Sequence, residues 1–333
     1  MVELRVDFAK KVFDIRHEPM PKGSWWWWFW LFFFNNPKNP DKPRQLMILW
    51  SAKNEKTIYC NDMKLDIKLP LDRTNLDGAV AAWYFDGNRM HHNFLLDKCH
   101  IKVGKDSIST DSKTPTSFAV NGTKSVVRIG RKMEFIAKEN TGDSFKKSLY
   151  HSDKLLGNMG YSILKLNHTE LTGKLEGKNI KGTAYFQRVF VNAPAIPWYW
   201  GIFHFEKGAA MTYTNHFVFG KNVKKDISFF DGKEMHIFKN MKVVRKGTDI
   251  PNFEVSGENE KSRISFTVKS YAHSSWTFRK RAFGLIPNRL VYNEYPATIS
   301  DIMLEDRKTG KKKTSEDFGT AVGNAEHTTG LLL

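Results

Sequence analysis

Three carboxylates in this sequence sit where a side chain could be kept from water. They are Glu294 in Val291-Tyr292-Asn293-Glu294-Tyr295, Glu326 in Gly323-Asn324-Ala325-Glu326-His327, and Asp86 at the end of Trp83-Tyr84-Phe85-Asp86-Gly87. Burial penalises the ionised form of a carboxyl, so such a group holds its proton to higher pH and can act as an acid near neutrality. Glu294 has no basic neighbour in sequence after Arg289. Asp86 precedes a glycine, and Asp-Gly is first of all a turn signal. Each of the three has an ordinary alternative as a rim carboxylate paired with Arg or Lys, which is the commoner fate of such groups.

The densest chemistry lies in Gly182–Phe217, GTAYFQRVFVNAPAIPWYWGIFHFEKGAAMTYTNHF. Gly182, Tyr185 and Gln187 open one strand, Pro194 and Pro197 bracket a turn, and Trp198-Tyr199-Trp200-Gly201 begins the next strand. Successive side chains of a strand point to opposite faces, so Trp198, Trp200, Ile202 and His204 share one face. Aromatic rings with a few polar tips suit a cavity for an apolar ligand, and an ordinary barrel core explains them equally well. His204 is the histidine placed toward that pocket, although a lone inward histidine is more often a satisfied core residue. His91 and His92 are adjacent, so they cannot share a face as a metal pair. No CxxC or Cys/His cluster suggests zinc. Neither a metal nor a cofactor is expected.

These residues must be positioned by β-structure. Runs of Val, Ile, Phe, Tyr and Trp recur throughout, separated by turn dipeptides such as Asp86-Gly87, Asn121-Gly122, Glu176-Gly177 and Asp231-Gly232. No segment sustains a helical period over three turns; Ser148–Leu156 is the best candidate for a short helix. Trp25–Phe34 reads WWWWFWLFFF, ten apolar residues of which nine are aromatic. As a strand it has two apolar faces and must be covered on both. The expectation is a strand of a first barrel, with a cavity on one side and a second domain on the other. Trp28 on this strand and Trp83 on a later one are candidate ligand-binding residues. The polar stretch 140–158 suggests a division into domains 1–150 and 151–333.

The composition has 41% hydrophobic and 26% charged residues, which is globular, and a formal charge of +17. The lysines are scattered, which favours a solvated basic surface, with peripheral contact to an anionic membrane as a further expectation. Long apolar runs that look buried, and no RRM or cold-shock signature, argue against nucleic acid as a partner. Two cysteines, Cys60 and Cys99, argue against a disulfide framework and for a reducing compartment. WWWWFWLFFF follows residues of both charges, lacks a small-residue cleavage site after it, and is shorter than the ~20 residues of a spanning helix. A cytoplasmic, membrane-peripheral location is expected.

The run G-x-A-Y-F-Q at Gly182–Gln187, then Pro197-Trp198-Tyr199-Trp200-Gly201 and a hairpin at Gly208, resembles a signature of a calycin-like superfamily. That superfamily includes carotenoid 1,2-hydratase (hydroxyneurosporene synthase), tocopherol cyclase and kievitone hydratase. Gly23-Ser24-Trp25-Trp26 and Gly323-Asn324-Ala325-Glu326-His327 resemble its opening and closing strands. The resemblance implies an all-β fold of two successive lipocalin-like antiparallel β-barrels, and acid-assisted chemistry on isoprenoid or polyketide double bonds. Gln187 stands where the superfamily commonly has Asp or Glu, and an amide cannot donate a proton as a carboxylic acid does. The acid would then be Glu326 or Glu294, with Gln187 and His204 orienting water or a substrate oxygen. Tyr185, Trp198, Trp200, Trp28 and Trp83 would surround a hydrophobic small molecule. A non-catalytic lipid or isoprenoid carrier is the alternative on the same frame.

Overall fold

The computed structural model describes residues 3–13, 20–68, 74–139, 148–154, 159–218, 220–282 and 286–332. Apart from helix α1 (Glu3–Phe13) and the single turn α2 (Ser315–Phe318), its regular structure is antiparallel β. The chain begins with β1 (Trp25–Phe34), β2 (Arg44–Lys53), β3 (Thr57–Cys60), β4 (Met63–Asp66), β5 (Asn75–Phe85) and β6 (Met90–Val103). It continues with β7 (Ser107–Thr110), β8 (Thr116–Asn121), β9 (Lys124–Ile129), β10 (Met133–Glu139), β11 (Ser148–Lys154), β12 (Gly160–Leu175) and β13 (Lys178–Asn192). Then come β14 (Trp198–Phe205), β15 (Ala210–Val218), β16 (Lys221–Phe230), β17 (Met235–Phe238), β18 (Asn240–Lys246) and β19 (Asn252–Glu258). The last strands are β20 (Ser262–Ser270), β21 (Ser274–Ala282), β22 (Ile286–Asp306), β23 (Lys312–Thr314) and β24 (Ala321–Leu331).

Ten strands close a barrel in the order β10-β9-β8-β7-β6-β5-β2-β1-β13-β12, with β10 paired back onto β12. The second sheet runs β17-β16-β15-β14-β24-β22-β20-β19-β18 and wraps its own core of Phe203, Tyr213, Phe229, Phe253 and Phe266. Its end strands β17 and β18 are consecutive in the chain, so the sheet curls back on itself. The all-β class expected from the sequence is the one observed.

Two expectations on organisation give way. The sheets part between Asn192 and Trp198 rather than at residue 150, because β12 and β13 complete the first barrel. In return, the hairpin β3–β4 crosses over and pairs through Cys60 and Tyr59 with β21 of the second sheet. The segment Ser148–Lys154 is strand β11, not a helix; residues 155–156 lie outside the described residues. β11 ends the first sheet's strand order, and an edge strand tolerates a polar sequence that a central strand would not. The polar stretch therefore marks an edge, not a boundary.

β1 is the central strand its sequence demands. Its even-numbered face, Trp26, Trp28, Trp30, Phe32 and Phe34, points into the barrel and is fully enclosed. Rings fill that interior: Phe32 stacks on Trp30 and, at 4.4 Å, on Phe135, while Trp30 meets Phe186 at 4.7 Å. The cavity expected on this side is thus occupied by a ring-packed core. Helix α1 covers it, with Trp28 Nε1 donating to Val12 O at 2.8 Å and the Arg188 guanidinium to Lys11 O. These two donors serve carbonyls at the helix C-terminus that no intrahelical partner can reach. The odd-numbered face, Phe29, Leu31 and Phe33, packs against Trp200, Ile202 and Trp276 of the second sheet, as expected. Among the described residues no helix is long and apolar enough to cross a membrane.

Candidate functional site

The seam between the barrel and the second sheet is where the candidate residues meet. Register creates the arrangement. β22 and β24 pair with Glu294 directly opposite Glu326, β14 and β24 pair with Trp200 opposite Glu326, and β21 and β22 pair with Trp276 opposite Tyr292. Alternation then puts Asn324, Glu326 and Thr328 on one face, the face that looks toward the barrel. Two glycines allow the strands to close up. A Cβ at Gly323 would lie 2.1 Å from Ile202 O, and one at Gly182 would lie 1.9 Å from Phe33 O.

Both glutamates are out of water: Glu294 is 0% and Glu326 4% exposed. Glu326 accepts hydrogen bonds from Trp198 Nε1 at 2.8 Å and from Tyr292 Oη at 2.7 Å, one on each carboxylate oxygen. Glu294 Oε2 accepts from Asn324 Nδ2, while its Oε1 has no partner. Burial, and then the charge of Glu326, push the Glu294 carboxyl well above its ordinary range. Burial raises Glu326 to about 7, against the pull of its two donors and of the Lys165 ammonium. Two carboxyls in such a site cannot both ionise near neutrality, so the pair holds at least one proton. Glu294 is the natural holder, since the Glu326 anion has two hydrogen-bond donors and the Lys165 ammonium to stabilise it.

Around the pair, Ser274 Oγ, Asn324 Oδ1, Thr328 Oγ1 and Trp276 Nε1 are buried without hydrogen-bond partners. Buried polar atoms are seldom left so, and here they offer donors and acceptors to an incoming polar group. From the barrel side, Tyr185 Oη donates to Gln187 Oε1 at 2.9 Å, and the Tyr185 ring lies 5.3 Å from Trp200. Lys165 lies opposite Gln187 in the β12–β13 pair.

Of the residues expected to form a site, Glu326, Glu294, Gln187, Tyr185, Trp198 and Trp200 converge here, and Trp83 joins the apolar cluster of the same seam. Two do not. Trp28 belongs to the interior face of β1 and is tied to α1, because alternation sends it away from the seam. His204 does share the Trp198 and Trp200 face but lies at the far end of β14. Its Nε2 lies 2.8 Å from Asn167 O, a carbonyl that can only accept, and its Nδ1 lies 2.7 Å from Thr183 Oγ1. Burial drives its pKa well below the usual value, so the ring is neutral, with Nε2–H donating and Nδ1 accepting. His204 is a satisfied core histidine. Asp86 caps its own turn, accepting from the Asn88 and Arg89 backbone amides.

Tyr292 and Lys165 join the site without being among the residues expected from the sequence. Tyr292 is two residues from Glu294 on the same strand, so alternation already aligned them. Lys165 falls in line with Tyr161 and Ile163 on β12, a lone lysine on an otherwise apolar face. Away from the seam, Asp231, Glu234 and His236 lie close enough to share a metal ion, but the Lys313 ammonium already pairs with the buried Asp231 carboxylate.

No protein-family model matches the sequence, and no curated protein sequence matches it either. Among solved structures, the chain is similar to the crystal structure of a Nitrosomonas europaea protein provisionally assigned as AttH. The TM-score is 0.55 and the identity 12%, over 92% of each chain. A likeness at that identity speaks for the fold alone, an all-β fold with a lipocalin-like barrel.

Proposed function

We propose that the chain is a cofactor-independent enzyme of hydratase, cyclase or isomerase type, acting on a carbon–carbon double bond of an isoprenoid or other lipid-like substrate. The observation that carries this reading is the pair of buried carboxyls placed directly opposite one another in an aromatic seam. Glu294 gives its proton to one alkene carbon, and the electron pair of the π-bond forms the new C–H bond. The neighbouring carbon becomes cationic, and the faces of Trp198, Trp200 and Trp276 stabilise it by cation–π attraction. Either water adds and loses a proton to Glu326, or a C–H proton is lost to Glu326 with a shifted double bond. In both cases the dyad ends with the number of protons it began with, one carboxyl having given and the other taken. Gln187 and Tyr185 orient the water or a substrate oxygen. The protein works in the cytoplasm, and its basic surface brings it to anionic membranes from which such a substrate is drawn.

The test begins with native mass spectrometry of protein from its own host cells, to find the apolar compound that travels with it. That compound is then returned to the protein in D2O. Deuterium on a carbon, or a product heavier by one water, is expected, with the rate falling at least ~100-fold in Glu294→Gln while binding persists. A compound recovered unchanged and without deuterium would refute the enzymatic reading and leave a carrier.

A further inference from the structure

One end of the seam is basic. Lys165 comes from β12, and His216 and Lys224 come from β15 and β16, where they are cross-strand partners. His216 also lies opposite Trp198, so the group adjoins the carboxyl pair. Lys224 Nζ donates to Tyr161 Oη at 2.7 Å and sits 5.2 Å above that ring. Lys165 is half-buried, makes no hydrogen bond or ion pair among the described residues, and lies within electrostatic reach of Asp226, Lys224 and Glu326. Burial and the two ammonium groups lower His216 to about 4, so it adds no charge. Two ammonium groups therefore face Asp226 and, when it is ionised, Glu326, and the Lys165 ammonium is the one with no hydrogen-bonded partner among the described residues. Inward from them a line of rings runs from Trp198 to Tyr292 (5.8 Å) to Trp276 (6.2 Å). It ends at a cavity of about 30 Å³ bounded by Trp276, Phe278, Leu49 and Ala81.

We infer that this end of the seam is a head-group site, and that the substrate is an amphiphile: a long unsaturated chain ending in a single carboxylate, held by Lys165 with Lys224. This rests on the proposed reading of the seam and names its substrate class. A monoanion can be taken by the unpartnered Lys165 ammonium alone, whereas a diphosphate would be set against Asp226 and, when ionised, Glu326. Burial has lowered Lys165 to about 8, and an arriving carboxylate restores its full charge. The chain of the substrate lies along Trp198, Tyr292 and Trp276. It is far larger than 30 Å³, so the rings move on binding and tryptophan emission changes with them.

The experiment titrates the full chain at pH 7 with oleate, oleyl alcohol and oleyl phosphate, one tail with three heads, following tryptophan emission and heat. Oleate is expected to bind at least ~10-fold tighter than the alcohol, and the phosphate no tighter than oleate. Lys165→Met removes the preference for oleate and leaves the alcohol's affinity within ~2-fold, Lys165→Arg restores most of the preference, and Lys224→Met gives a smaller loss. Equal affinity for oleate and alcohol, or a preference that survives Lys165→Met, overturns the head-group site. A tighter phosphate overturns the choice of a carboxylate. Tight oleate binding that Lys165→Met weakens, with the co-purifying compound recovered free of deuterium, refutes the enzymatic reading and upholds the head-group site. Failure of all three to bind defeats the head-group site and leaves the enzymatic reading to the test in D2O.

Discussion

The two faces of β1 are chemically alike and structurally opposite. The even face, Trp26 to Phe34, enters an interior where rings stack on rings, the Arg188 guanidinium over Trp26 is satisfied by Ser162 Oγ and Lys11 O, and no buried carboxylate intrudes among the described residues. The odd face, Phe29 to Phe33, forms the wall of a seam whose other wall contains two buried glutamates and several polar atoms without partners. Burying a ring stabilises the fold by roughly 1.5–3 kcal/mol, whereas burying an ionisable group works against folding unless it stays neutral or finds partners. The interior is thus where stability is made, and the seam is where some of it is given up to hold a proton in place. One amphipathic question, how to cover ten apolar residues, has two answers because only one of the two surfaces had to be purely structural.

The largest effect that could break this contrast belongs to the interior. Trp30 is fully buried and touches Phe32, Phe118 and Phe186. Trp30→Ala removes a large ring from a packed core, and the expected loss is about 3–5 kcal/mol in urea unfolding, at every pH from 5 to 8. A loss below ~1 kcal/mol would mean that the interior is loose and the two faces are not different in kind.

The seam should be marked by pH. Glu326 is raised from 4.5 unfolded to about 7 folded. A raised carboxyl favours the folded state fully below the unfolded pKa, and that contribution is lost as pH rises through the folded value. Stability should therefore fall between pH 4.5 and 7, by on the order of 3 kcal/mol in all. Glu326→Gln removes this group's titration, so the variant has a flatter profile and overtakes the native protein toward pH 8. Urea midpoints measured from pH 4 to 8 on both proteins check it. A native profile that is flat across this window would show the pair to be solvated or ion-paired, and the seam to be an ordinary interface.

How much of this was legible in the sequence follows from what local patterns encode. Alternation placed both faces of β1, the Trp198–Trp200 face of β14, and Asn324, Glu326 and Thr328 together, because a period of two is a property of each strand alone. Apolar surroundings picked out Glu294 and Glu326 separately. Their meeting depends on the β22–β24 register, which aligns residues 32 apart in the chain and has no local signature. The same limit hid the swap of β3–β4 into the second sheet and set the domain boundary too early, since pairing and not composition decides which sheet a strand joins. His204 was placed on the right face, but at a distance along the strand that alternation alone does not weigh. Trp28 lies on the even face, where a cavity is the expectation, and alternation assigns a face without telling a lined cavity from a ring-packed core.

The smallest effect compares two indole donors, one on each side of β1. Trp198 Nε1 donates to Glu326 Oε2 in the seam, and Trp28 Nε1 donates to Val12 O at the barrel end, both at 2.8 Å. Replacing either tryptophan with Phe deletes the donor and leaves a gap, so part of the cost is packing and is common to both variants. The difference lies in the acceptor. A hydrogen bond to an ionised carboxylate is worth more than one to a carbonyl, and Glu326 is ionised only above about 7. Trp198→Phe should therefore cost about 1 kcal/mol more at pH 8 than at pH 5, while Trp28→Phe should cost the same at both. Carbon-13 titration of the glutamate carboxyls should show Glu326 moving further up in Trp198→Phe and unmoved in Trp28→Phe. If the Trp198→Phe cost is the same at both pH values, Glu326 does not change its charge in this window, and the distinction between a structural face and a chemical one would have to rest on Glu294 alone.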